Sequence, residues 1–160
     1  MFGLTEDQAI ALLKTPTEQL AAPTERYVAV SHLINFPTER SINALIEAVQ
    51  NPAPDLYERI TRRKALESLG RLQAREALPV IRACLGDEDC YTVENAVWAI
   101  GEIGTEDAET LQEIAQLLDK PNQSYRTIIQ TLAKLNYQPA QERLKKFVEA
   151  DDEPIASAAI

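Results

Sequence analysis

The chain has 160 residues, of which 45% are hydrophobic and 26% charged. That is enough apolar matter for a buried core, and a charge content that does not suggest disorder. Its 25 acidic residues against 16 basic ones give a net charge of −9, which sets most of the surface against nucleic-acid phosphates.

Ala, Leu, Glu, Gln and Arg predominate and aromatics are sparse; these residues lose least on entering a helix, so the predicted class is all-α. In chain order, a capping helix runs from Leu4 to about Leu13. Paired helices follow at 24–36 and 38–50, 55–71 and 74–85, 90–103 and 107–119, and 122–135 and 138–149. Thr24 and Thr38 are expected to cap, and Pro37, Pro52, Pro121 and Pro139 fall at predicted ends. The last ten residues, DDEPIASAAI, read as the start of a fifth first-helix. Their alanines and terminal isoleucine make a poor polar cap, so a longer chain or a partner is expected at that end.

The pairs are copies of one another. Leu45, Leu78, Leu111 and Leu144 recur every 33 residues, and Ala48, Ile81, Ile114 and Phe147 keep the same step. The first helices align through Ala65, Ala96 and Ile128, through Leu69, Ile100 and Leu132, and through Leu72, Ile103 and Leu135. An earlier copy contributes Ala29, Leu33 and Phe36. The spacing i, i+4, i+7 is the apolar stripe of an amphipathic helix. Between the last two columns stand Gly70, Gly101 and Ala133, small residues where a partner helix must come close. One hairpin cannot bury both its stripes, but a stack of hairpins can. The whole chain, 1–160, is therefore predicted to be a single α-α superhelix of about four hairpins plus an N-terminal helix and an incomplete fifth repeat.

The search for chemistry returns little. No apolar run approaches the ~18 residues that cross a bilayer. The opening MFGLTEDQAI has no signal-peptide pattern. Two cysteines form no disulfide framework, so the expected compartment is the reducing cytoplasm. The lone histidine, His32, lies beside Leu33 and suits a half-buried structural position rather than a metal ligand. Cys84 shares a column with Leu117 and reads as a core thiol, whereas Cys90 stands near a helix start; the competing reading is a redox or cluster-carrying pair. The basic run Arg143, Lys145 and Lys146 reads as a solvated helix face rather than a phosphate site. No nucleotide loop, zinc motif or nucleophile elbow occurs, so no catalytic residue, metal or intrinsic cofactor is predicted.

The sequence does single out a surface. Trp98 occupies a column in which other repeats carry Glu67 and Gln130, and Glu94 one in which they carry Arg63 and Arg126. A large aromatic among polar column-mates is expected of a contact residue, the alternative being packing over a neighbouring repeat's first helix. Tyr91, Glu94, Asn95 and Trp98 on one helix, with Arg62, Arg63, Tyr125 and Arg126 on its neighbours, form the candidate partner-binding face. The alternative for the arginines is pairing within the stack, with Asp87 or Glu88.

The segments DEDCYTVENAVWAIGEIG (87–104) and ALESLGRLQAREALPVIRACLGDED (65–89) carry an acidic turn, Tyr-x-Val, a small-residue helix ending in Gly-x-Ile-Gly, and a Leu-Pro-x-Ile second helix. This grammar resembles HEAT repeats, specifically the phycobilisome-lyase HEAT-like family of cyanobacteria and red algae, over about residues 24–150. The resemblance implies a protein-interaction module related to bilin lyases of the E/F type. Such a module would grip a phycobiliprotein or a transient bilin, or pair with a second HEAT chain. It equally implies a non-catalytic scaffold in phycobilisome turnover or iron–sulfur assembly, or a generic HEAT module of a larger protein. Family members that act as lyases are usually longer or work as pairs.

Overall fold

The computed structural model describes residues 3–52, 54–141, 143 and 145. Among these residues it contains eight α-helices and no strand: α1 (Glu6–Lys14), α2 (Glu25–Leu33), α3 (Glu39–Gln50), α4 (Leu56–Arg71), α5 (Leu78–Ala83), α6 (Cys90–Ile103), α7 (Ala108–Gln116) and α8 (Tyr125–Lys134). Short 3-10 turns extend α5 at both ends, at Arg75–Ala77 and Cys84–Gly86, and continue α7 through Leu117–Asp119. The hairpins α2/α3, α4/α5 and α6/α7 follow the predicted pairing, and α8 opens the fourth. Half of the second helix expected over 138–149, and the fifth-helix segment 151–160, lie outside the described residues.

Side-chain caps start most helices. Thr5 and Gln8 form a reciprocal capping box on α1, each accepting from the other's backbone N–H. Thr38, Asp55, Asp89 and Asp107 each accept from the backbone N–H three residues on, filling donors that a first turn leaves empty. Thr24 does not cap. Its backbone (φ −77°, ψ −13°) is already helical, whereas a capping side chain needs an extended residue to reach back over the first turn. At the other end, α4 and α8 finish alike. Gln73 and Asn136 turn left-handed (φ 51° and 54°). The N–H groups of Ala74 and Tyr137 then reach back to the carbonyls of Leu69 and Leu132, the Schellman closure.

The first helices pack side by side in the order α2, α4, α6, α8, with α4 against α6 the most extensive contact, and α1 covers α2 and α3. Most of the aligned columns are core, but Leu72, Leu78 and Leu135 are only partly buried, and Leu144 and Phe147 lie outside the described residues. Ala65, Ala96 and Ile128, then Leu69, Ile100 and Leu132, are buried, as are Leu45, Ala48, Ile81, Leu111 and Ile114. The small-residue column works as expected at two positions. A β-carbon on Gly70 would meet Ala99 Cα at 3.0 Å, and one on Gly101 would meet Thr131 Cγ2 at 3.1 Å. Cys84 is buried, and His32 is half-buried.

The register is also held by polar links between repeats. Arg26 and Arg62 occupy one column and do one job. Each donates Nε to a carbonyl of the helix preceding its own, Arg26 to Leu13 at 3.2 Å and Arg62 to Val49 at 2.8 Å. Each then pairs with an acid of the next repeat, Glu58 for Arg26 and Asp87 for Arg62. Because the helix-end carbonyl is an orphan acceptor, a guanidinium with several donors can satisfy it and still hold a carboxylate.

Candidate functional site

The residues singled out from the sequence lie on α4, α6 and α8, on the first-helix side of the stack. Arg62, Arg63, Glu94, Asn95 and Tyr125 are committed to contacts inside the chain, Trp98 is half-buried, and Tyr91 and Arg126 remain exposed.

Arg62 is turned inward, with its charge on Asp87 at 2.8 Å and its Nη2 at 3.8 Å from the Cys84 sulfur. Arg63 grips Asp89 with two bonds, 2.7 and 2.9 Å, and its guanidinium lies 4.8 Å from the centre of the Tyr91 ring. Both arginines therefore follow the intra-stack alternative, though Arg63 pairs with Asp89 rather than with Asp87 or Glu88. Burial alone would raise the Asp89 carboxyl, but hydrogen bonds from Arg63 and Thr92 hold it below the ordinary value. Burial pushes the Cys84 thiol up, and the nearby Arg62 charge only partly opposes this. Cys84 is thus a poor nucleophile, since the thiolate is the reactive form.

Asn95 returns its amide to the Tyr91 carbonyl at 2.8 Å, and Glu94 accepts from Thr127 Oγ1 of α8 at 3.2 Å. The sign reversal at Glu94 thus has a local use: it meets a hydroxyl of the next helix. Tyr125 donates to the Lys120 carbonyl at 2.5 Å and is half-buried.

Trp98 is half-buried rather than fully solvent-facing. Its ring lies over the backbone of Gly70, where an added β-carbon would come 2.9 Å from Cζ3. Beside it opens a recess of about 450 Å³ lined by Glu67, Arg71, Glu94, Asn95, Trp98 and Thr127. Three of the expected residues therefore meet there, joined by Glu67, Arg71 and Thr127. The sequence held a signal for the first two additions: Arg63, Glu67 and Arg71 follow at i, i+4, i+8 on one helix face. Arg71 pairs with Glu67 at 3.0 Å. The recess thus offers an indole edge, a paired arginine and carboxylates, which suits a protein side chain or an amphipathic ligand better than a reacting centre. Among the described residues, no group of three or more His, Cys, Asp and Glu is placed to hold a metal, and no helix is long and apolar enough to cross a membrane.

Stacked antiparallel hairpins with a shallow, aromatic-edged face define an α-solenoid of the interaction type. Residues 55–128 match the HEAT repeats and residues 25–51 the PBS lyase HEAT-like repeat. The chain therefore carries HEAT-type repeats, one of which matches the PBS lyase HEAT-like repeat. It is 61% identical, over 99% of its length, to an uncharacterized phycocyanin operon protein Y of Pseudanabaena tenuis, and covers 38% of that protein. It is 38% identical over 63% of its length to the phycocyanobilin lyase subunit alpha of Synechococcus elongatus, covering 37% of it. The solved complex of CpcE and CpcF of phycocyanin lyase from Nostoc superposes with a TM-score of 0.81, at 25% identity, over 98% of this chain and 63% of that one. The chain thus spans little more than a third of the two curated relatives.

Proposed function

We propose that the chain is a binding module that grips a phycobiliprotein, or the bilin destined for it, in the manner of a lyase subunit or chaperone. The observation that carries this reading is the agreement in sequence with a phycocyanobilin lyase subunit alpha and in fold with a phycocyanin lyase complex. The recess at Trp98 supports it physically. It combines a half-buried aromatic edge with the paired Glu67 and Arg71, the mixture that anchors protein contacts and planar ligands.

A second reading, a scaffold without pigment chemistry, draws on a different observation. The charges of Arg62 and Arg63 are engaged in holding the repeats together, so those groups stabilise the stack instead of presenting free acid–base partners.

The test mixes the purified chain with apo-phycocyanin subunits, with free phycocyanobilin, and with both, and follows binding and the visible spectrum. Capture of the subunit with a spectral change on adding bilin supports the first reading. Capture without any pigment effect supports the scaffold. Neither capture nor a spectral change refutes both.

A further inference from the structure

The exposed large apolar side chains among the described residues are Leu56, Tyr57 and Tyr91, at 52%, 42% and 57% exposure. All three stand in the first turns of α4 and α6, the two helices in most extensive contact. Leu56, Arg59 and Arg63 follow at i, i+3 and i+7 on one face of α4. Arg63 carries that row across to α6, because its guanidinium lies over the Tyr91 ring. An open recess of about 500 Å³, lined by Arg59, Arg62, Asp87, Glu88, Asp89 and Cys90, lies between the two helix starts.

The recess is lined by two arginines, Arg59 and Arg62, and three acids, Asp87, Glu88 and Asp89, with Arg63 bonded to Asp89 from beside it and the exposed Asp55 just ahead of Leu56. Two pairs are closed internally, Arg62 with Asp87 and Arg63 with Asp89. One group of each sign is left over. Arg59 and Glu88 are exposed, and neither side chain has a hydrogen-bond or ion-pair partner among the described residues.

We propose that this patch docks a second copy of the chain about a two-fold axis, with Arg59 of each copy meeting Glu88 of the other and Leu56, Tyr57 and Tyr91 packed between them. A two-fold contact sets one surface against itself, so each residue's partner must be on the same patch. Arg59 and Glu88 supply one unused charge of each sign, so a two-fold sets opposite charges together twice, while the carboxylate of Asp55 is already occupied as the cap of α4. The net charge of −9 acts mostly from farther away, and beyond ~8 Å it is largely screened at physiological salt. Tyr91 is held in place before docking by Arg63, itself fixed by two bonds to Asp89. A fixed aromatic loses little freedom on contact. The dimer and the phycobiliprotein reading stand apart, since the latter is carried by the lyase relatives and its supporting recess at Trp98 lies further along α6.

Sedimentation velocity on the 160-residue chain across a concentration series tests the proposal. A concentration-dependent dimer is expected. Arg59→Glu and Glu88→Arg should each weaken it by at least ~10-fold, because each places two like-charge contacts across the axis. Mixing the two single variants should restore a dimer containing one chain of each, and the double variant Arg59→Glu/Glu88→Arg should dimerise alone. Tyr91→Ala should weaken association with the helical signal unchanged. A parent chain that stays monomeric overturns the proposal. So does a dimer indifferent to these exchanges, or single variants that fail to rescue one another.

Discussion

The indole of Trp98 lies against the backbone of Gly70: a β-carbon on that glycine would sit 2.9 Å from Trp98 Cζ3 and 3.0 Å from Ala99 Cα. Two effects then compete in Gly70→Ala. Replacing Gly70, the penultimate residue of α4, gains less than the about 1 kcal/mol of a helix-interior glycine, while overpacking a tight contact costs about 1–3 kcal/mol. Because one obstacle is the backbone of α6, the clash should win and chemical denaturation should show a loss of about 1 kcal/mol. At Gly101 the added carbon meets the Thr131 side chain at 3.1 Å, which can give slightly. Gly101→Ala should therefore cost less than Gly70→Ala. The reverse order would mean that α4 and α6 are less closely apposed than α6 and α8.

Trp98 also bears on recognition. Trp98→Ala should weaken binding of an apo-phycocyanin subunit by about 30-fold, as expected when a contact aromatic contributing about 2 kcal/mol is removed. The helical circular dichroism should survive, since only part of the ring is buried. Titration of parent and variant with the same subunit decides the matter. Equal affinity would place the contact elsewhere on the stack.

Arg26 and Glu58 form the most enclosed ion pair of the stack, with side-chain exposures of 10% and 11%. Thr17 donates to the same carboxylate at 2.6 Å. Arg26→Met should destabilise by about 3–5 kcal/mol, because it leaves Glu58 charged and enclosed without its cation. The double change Arg26→Met/Glu58→Leu should recover much of that loss, since no charge is then stranded. Urea unfolding of the two variants checks the order, and a double variant no better than the single one would count against it.

Acid should loosen the joint between α4 and α6. The Asp89 carboxyl titrates below its ordinary value of 3.8 in the folded chain. The unfolded chain therefore binds the proton more readily, and the resulting stability is present above about pH 4 and lost as pH falls through the folded pKa. Glu6, lowered chiefly by its hydrogen bond from Thr38, and Asp107, lowered chiefly by Thr110, shift in the same sense. Asp89→Asn should be less stable than the parent at pH 7, and the gap should shrink as the pH is taken below about 4. Thermal melts across a series of pH values from 7 downward test this. A constant gap between parent and variant would show that the charge of Asp89 contributes nothing.

The sequence by itself determined the repeat. The apolar columns through Ala65, Leu69 and Leu45 are set by helix period and helix length, both local properties, and the structure buries those residues where the spacing puts them. The small residues Gly70 and Gly101 marked the close approaches for the same reason. Only the tertiary structure decided the fate of the polar surface. Whether Arg63 faces a partner or Asp89 depends on how far one hairpin is rotated on the next, because the two residues are 26 apart in sequence and meet across a repeat boundary. The same holds for Glu94 with Thr127, 33 apart, and for Trp98 over Gly70. A residue column shows which side chains are equivalent along the stack. It does not contain the inter-repeat rotation that brings a guanidinium within 3 Å of a carboxylate instead of leaving it in water.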